Sequence, residues 1–148
     1  SSISPGRYGA IAAAAARRGF QAGRDTLADA WAQMLDYDRI GMLLGAQSKT
    51  GSVLKVGDIV GVSSLADGQK AIADRLGNGH SGKIDKFSTV PHTFSGTAIL
   101  VDGARVNMIC EVADMMRLPS IEADRFVVMK VLKFEQNEKI AFLSAYYD

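Results

Sequence analysis

From Asp25 onward the chain places apolar residues at helical spacing. Leu27, Ala30, Trp31, Met34 and Leu35 recur every three or four positions, with Asp25 or Thr26 available to cap the first turn. Ile40, Leu43 and Leu44 repeat the stripe after a tight turn at Asp36 to Asp38, which predicts two helices meeting at a corner. Val53 to Val62 reads as a strand interrupted by Gly57-Asp58. A third helix is expected after Asp67-Gly68, burying Ile72, Ala73 and Leu76 until Gly77-Asn78-Gly79 ends it. Past residue 82 the period falls to two. Segments 84–101, 104–116, 124–135 and 139–147 are rich in Val, Ile, Phe and Tyr, and Asp102-Gly103, Pro119 and Gln136-Asn137 stand in the breaks between them. Helices first and an antiparallel meander afterwards is an α+β pattern, with helices packed on one face of a curved sheet.

Residues 1–24 differ in composition from the rest. They hold Arg7, Arg17, Arg18 and Arg24 and no acid, around Ile11 and the alanine run that ends at Ala16. Alanine is the best helix former and Gly19 follows two arginines suited to a helix C-terminus, so this stretch reads as a short N-terminal helical extension. An acid-poor start with Arg and Ser also resembles an organelle transit peptide. Residues 25–148 then form one domain, since a chain of 148 residues falls within the size of a single core. A net charge of +1 offers no electrostatic case for nucleic acid or membrane partners, and no stretch approaches the roughly 20 apolar residues of a membrane span. Cys110 is the one cysteine, so no intrachain disulfide forms; a reducing, cytoplasmic setting and a small buried hydrophobe are the simpler reading. His80 and His92 stand too far apart in sequence to suggest a metal constellation, and the glycines around His80 lack a phosphate-loop pattern, so neither metal nor cofactor is expected.

Asp102-Gly103 is a strong two-residue hairpin signal. If these two residues form the loop, Val101 pairs with Ala104, Ala98 lies opposite Asn107, Phe94 opposite Glu111 and His92 opposite Ala113. Alternation then places His92, Phe94, Gly96, Ala98, Asn107 and Glu111 on one face. The other face carries Ile99, Val101, Val106, Met108, Cys110 and Val112, apolar enough to be covered by a second subunit. One β-bulge would invert the assignment.

The corner helix Ala30 to Leu44, the segment Asp67-Gly68-Gln69-Lys70-Ala71-Ile72, the Val101-Asp102-Gly103 turn and the ending Lys139 to Asp148 together resemble the NTF2-like superfamily, in particular its SnoaL-like branch. The resemblance covers roughly residues 25–148 and implies a cone-shaped α+β barrel with a deep pocket, dimerising through the outer sheet face. That fold hosts dehydratases, isomerases, epoxide hydrolases and non-catalytic modules. In the scytalone dehydratase family a histidine at a strand start works with an aspartate at the end of the first long helix, and His92 and Asp36 stand at similar places here. The tyrosines that hold the substrate carbonyl there have no counterparts in this chain.

An ionised Asp36 accepting from one imidazole nitrogen of His92 would fix the tautomer and leave the other nitrogen able to take or give a proton near neutral pH. Glu111 would act as second acid or base, Asn107 would orient a substrate oxygen, and Trp31, Met34 and Phe94 would form the walls. These readings predict a cofactor-independent enzyme of the dehydratase or isomerase type acting on a small, mainly apolar organic molecule. A non-catalytic ligand-binding or homodimeric association module is the alternative. A third reading is an epoxide hydrolase with a water held between Asp36, Glu111 and Asn107.

Overall fold

The computed structural model describes residues 10–16, 26–45, 54–72, 90–141 and 143. Among them, strands β1 (Ala10–Ala16), β2 (Thr26–Asp36), β3 (Arg39–Gly45), β4 (Ile59–Ser64), β5 (His92–Ser95), β6 (Ala98–Val101), β7 (Val106–Leu118) and β8 (Ile121–Gln136) form one sheet. Its order is β2-β3-β8-β7-β4-β1-β6-β5, and a further pairing of β2 with β1 closes β1, β2, β3, β8, β7 and β4 into a ring. Closure of this kind removes free sheet edges, and the β5–β6 hairpin branches from it at β1.

The α+β cone of the NTF2-like fold is therefore not formed. The two corner helices expected over residues 25–44 are the antiparallel strands β2 and β3, joined at Tyr37-Asp38. Their apolar residues also satisfy a period of two. Ile40, Met42 and Leu44 alternate into the core while Leu43 faces out. Local spacing fits both periods, and non-local pairing with β8 decides between them. The alanine run follows the same logic. It is expected to be helical, yet β1 pairs with β2, β4 and β6, because helix propensity differs by only about 0.7 kcal/mol per ordinary residue and sheet closure outweighs it. Of the third helix, residues 70–72 are helical; its Ala73, Leu76 and terminating glycines lie outside the described residues.

The Asp102-Gly103 turn is present, with Ala104 N donating to Val101 O at 3.4 Å and Gly103 at a φ of 77°. The register built on it is not. β6 pairs with β5 and β1, whereas β7 pairs with β4 and β8, so the chain turns a corner there. The hairpin lies one turn earlier, where His92 pairs with Val101, Phe94 with Ile99 and Ser95 with Ala98 around Gly96. Of the expected strand 84–101, residues 84–89 lie outside the described residues, and the rest is broken at a glycine with a φ of 59°.

The core fills the ring from β3, β4, β7 and β8: Ile40, Met42, Leu44, Val60, Val62, Val106, Met108, Cys110, Val112, Val127 and Met129, with Leu54 joining from the segment before β4. β6 crosses β4 so closely that a Cβ on Gly61 would strike the backbone of Ile99. Among the described residues no helix is long and apolar enough to cross a membrane.

Candidate functional site

The structure puts Asp36 and His92 in separate hairpins. Asp36 ends β2, is exposed, and its Oδ1 accepts a hydrogen bond from Tyr37 N at 2.7 Å. Its role is to close the turn, as short Asx side chains commonly do. His92 opens β5, a strand that pairs with β6 and not with β2. Its Nδ1 donates to the Val90 carbonyl at 2.6 Å, and its ring meets Phe94 edge-on with centroids 5.3 Å apart. Sequence spacing suggested that a helix would carry the aspartate to the imidazole; a strand and a tight turn take it elsewhere.

The other candidates are likewise distributed. Glu111 lies between buried Cys110 and Val112 on β7, so it faces away from the core, in register with Lys130 of β8 and Ile59 of β4. Phe94 is partly exposed on β5. Trp31 pairs with Ala10 and Met34 with Ile40 through their backbones, and their side chains fall outside what is described.

Asn107 belongs to a closed set of three hydrogen bonds. Val101 N donates to Ser63 Oγ at 3.0 Å, Ser63 Oγ donates to Asn107 Oδ1 at 2.6 Å, and Asn107 Nδ2 donates to Val101 O at 3.0 Å. Ser63 is wholly buried. The two side chains stand in for the ladder that β6 does not make with β7, satisfying both backbone groups of Val101 where the chain turns away. This arrangement binds strands together.

A different place departs from the regular ladder. β8 runs from Ile121 to Phe126 while β7 covers only Leu118 to Met116, so 122–125 have no partners on β7 and are held from one side by β3, with Gly45 opposite Asp124 and Leu44 opposite Arg125. Because the β3–β8 register is unbroken, Arg125 shares the inward face of Leu44, Val127 and Met129. It is half-buried, and no carboxylate among the described residues pairs with it. Met115, opposite Val127, packs on the core beside it. Arg125 is thus a half-buried guanidinium in phase with core residues at one end of the barrel. Sequence reading missed Arg125. Its signal, a cation in phase with Val127 and Met129, is visible only once the strand's phase is known.

The described strands thus close into an antiparallel barrel. The chain matches the model of the flavin reductase like domain over residues 11–148, and it belongs to that family. Solved structures with the same fold include the NADH:FAD oxidoreductase SgcE6 of Streptomyces globisporus C-1027, at 14% identity over 90% of this chain and 78% of that one, with a TM-score of 0.73. An FMN-binding protein from Thermus thermophilus, with bound p-hydroxybenzaldehyde, is 19% identical over 90% and 73% of the two chains, with a TM-score of 0.73. Flavoredoxin from Methanosarcina acetivorans is 15% identical over 93% and 74%, with a TM-score of 0.71. No curated protein matches the chain.

The family overturns the resemblance to the NTF2-like superfamily and its SnoaL-like branch. A cofactor-independent dehydratase or isomerase goes with it, since the family is one of flavin-dependent redox proteins and not of lyases or isomerases. The resemblance rested on the order of several weak local patterns, and a strand-rich barrel presents many of the same ones.

Proposed function

We propose that the protein is an oxidoreductase of the flavin reductase kind, moving reducing equivalents from a reduced nicotinamide dinucleotide to a flavin. The observation that carries this reading is the family match along residues 11–148. The names of the structurally similar NADH:FAD oxidoreductase and FMN-binding protein agree with it. A bound flavin supplies the redox chemistry through its ring, which accepts a hydride. The chain's part is to hold that ring. The closed, apolar-cored barrel supplies a rigid frame for it. The single buried cysteine suits a reducing, cytoplasmic setting.

The direct test is to mix the purified chain with FMN or FAD and NADH or NADPH and follow dinucleotide absorbance. Turnover that requires both protein and added flavin supports the reading. Absence of turnover with every pair, together with no flavin binding by fluorescence, overturns it.

The face expected to meet a second subunit, Ile99, Val101, Val106, Met108, Cys110 and Val112, is buried inside the protein, so a homodimer, which belongs to the same proposal, would use the opposite, outer face. Leu43, Phe126 and Met116 form a cross-strand row on the outside of β3, β8 and β7, and Leu43 and Met116 are about two-fifths exposed. Leu35 and the Phe126 ring cover Gly41 beside that row. An apolar row of this kind outside a closed barrel suits a self-complementary contact. Light scattering should give twice the chain mass, and Leu43→Lys with Met116→Lys should halve it; an unchanged mass in the double variant rejects this face.

A further inference from the structure

We infer that Met116 is a reversible oxidation site through which hydrogen peroxide loosens the contact between two copies of the chain. This rests on the homodimer reading above and stands whether or not the protein reduces flavins. Among the described methionine side chains, Met42, Met108 and Met129 are at most 2% exposed inside the barrel, whereas Met116 is 42% exposed. Its neighbour Met115 lies opposite Val127 and packs against the core, so two adjacent thioethers face opposite sides of one strand. Thioether oxidation follows exposure, because peroxide has to reach the sulfur through water. Met116 is therefore singled out by the fold.

The reaction needs peroxide and nothing else. A sulfur lone pair takes one oxygen as the O–O bond breaks and an S–O bond forms, and the other oxygen leaves as water with both hydrogens. Sulfur gives up two electrons and peroxide gains them. The product matters because of where it stands. Met116 is in register with Phe126, which is in register with Leu43, and these side chains carry no donor for the new oxygen. A second copy closing over the row then buries an unpaired polar group, which opposes association.

The test treats the dilute full chain with hydrogen peroxide, maps sulfoxides by tandem mass spectrometry of its peptides, and measures mass by light scattering after reconcentration. Met116 should convert about tenfold faster than Met42, Met108 and Met129, in line with exposures of 42% against 2% or less. Treated wild type should fall to half its mass. Met116→Leu, which keeps an apolar side chain of similar size and has no sulfur there to oxidise, should hold its mass under the same treatment. Methionine sulfoxide reductases for both epimers should restore the wild-type mass. Equal oxidation of all four methionines overturns the site. A mass loss in Met116→Leu equal to that of wild type overturns it as well. Selective oxidation with an unchanged mass, in a chain that Leu43→Lys with Met116→Lys does split, overturns the switch and leaves the dimer face standing. If the double lysine variant keeps its mass too, the dimer reading fails and the switch falls with it.

Discussion

The seam where β6 crosses β4 and the break where β8 leaves β7 solve opposite problems. At the seam, two backbones meet with no room for a side chain at Gly61, and every polar group of Val101 finds a partner in Ser63 or Asn107. At the break the ladder is interrupted, the strand is held from one side, and a cation stays on the apolar face with no protein partner among the described residues. The first is closed and satisfied; the second is incomplete by the same criteria. An interrupted ladder of this kind is a β-bulge, which bends the strand and re-aims its side chains.

The largest effect that would break this contrast lies at Gly61. Gly61→Ala puts a methyl group onto the Ile99 backbone, which has no rotamer to give, so we expect a loss of about 3 kcal/mol or more in denaturant unfolding. A mild cost would mean that the seam yields. Ser63→Ala or Asn107→Ala should each cost about 1–3 kcal/mol by leaving a buried polar group unpaired. Neither should alter ligand affinity; an affinity loss at unchanged stability would return Asn107 to ligand binding. Gly41→Ala comes next, at about 1 kcal/mol, because its methyl group would meet the far ends of Phe126 and Leu35, at 2.6 and 2.7 Å, and not backbone. Arg125→Gln should leave the unliganded protein within about 0.5 kcal/mol of wild type, since no partner is lost.

Cys110 has the smallest effect at neutral pH, and one that grows with alkali. Burial pushes its thiol up to about 12 from the ordinary value of 9.0. The folded thiol holds its proton more tightly than the unfolded one. Its contribution to stability is therefore full below about pH 9 and is lost as pH rises toward about 12. Unfolding midpoints measured from pH 8 to 11 should fall more steeply for wild type than for Cys110→Ala. Maleimide labelling at pH 8 should be slow until denaturant is added. Rapid labelling of the folded protein would contradict a solid core on this side of β7.

Parts of this architecture were legible residue by residue. Segment 124–135 falls within β8 and 104–116 overlaps β7 from Val106, and the Asp102-Gly103 turn forms where its chemistry requires. Cys110 is the small buried hydrophobe expected of a lone cysteine. The helices of 25–44 were misread because Leu27, Trp31, Met34 and Leu35 fit a helical stripe, while nothing local announces that β3 will meet β8 some eighty residues later in the chain. The pairing of Asp36 with His92 failed for the same reason, since it depended on a helix that the fold does not make.

By itself the amino-acid order determined a single-cysteine chain of ordinary charge, rich in alternating strands after residue 82 and punctuated by glycine turns. Only the tertiary structure decided that the alanine run is a strand, that Asn107 clamps a seam, and that Arg125 faces inward. The division follows from range. Turn chemistry and alternation act over two to four residues, whereas strand order, ring closure and the phase of a half-buried charge are set by partners far away in sequence.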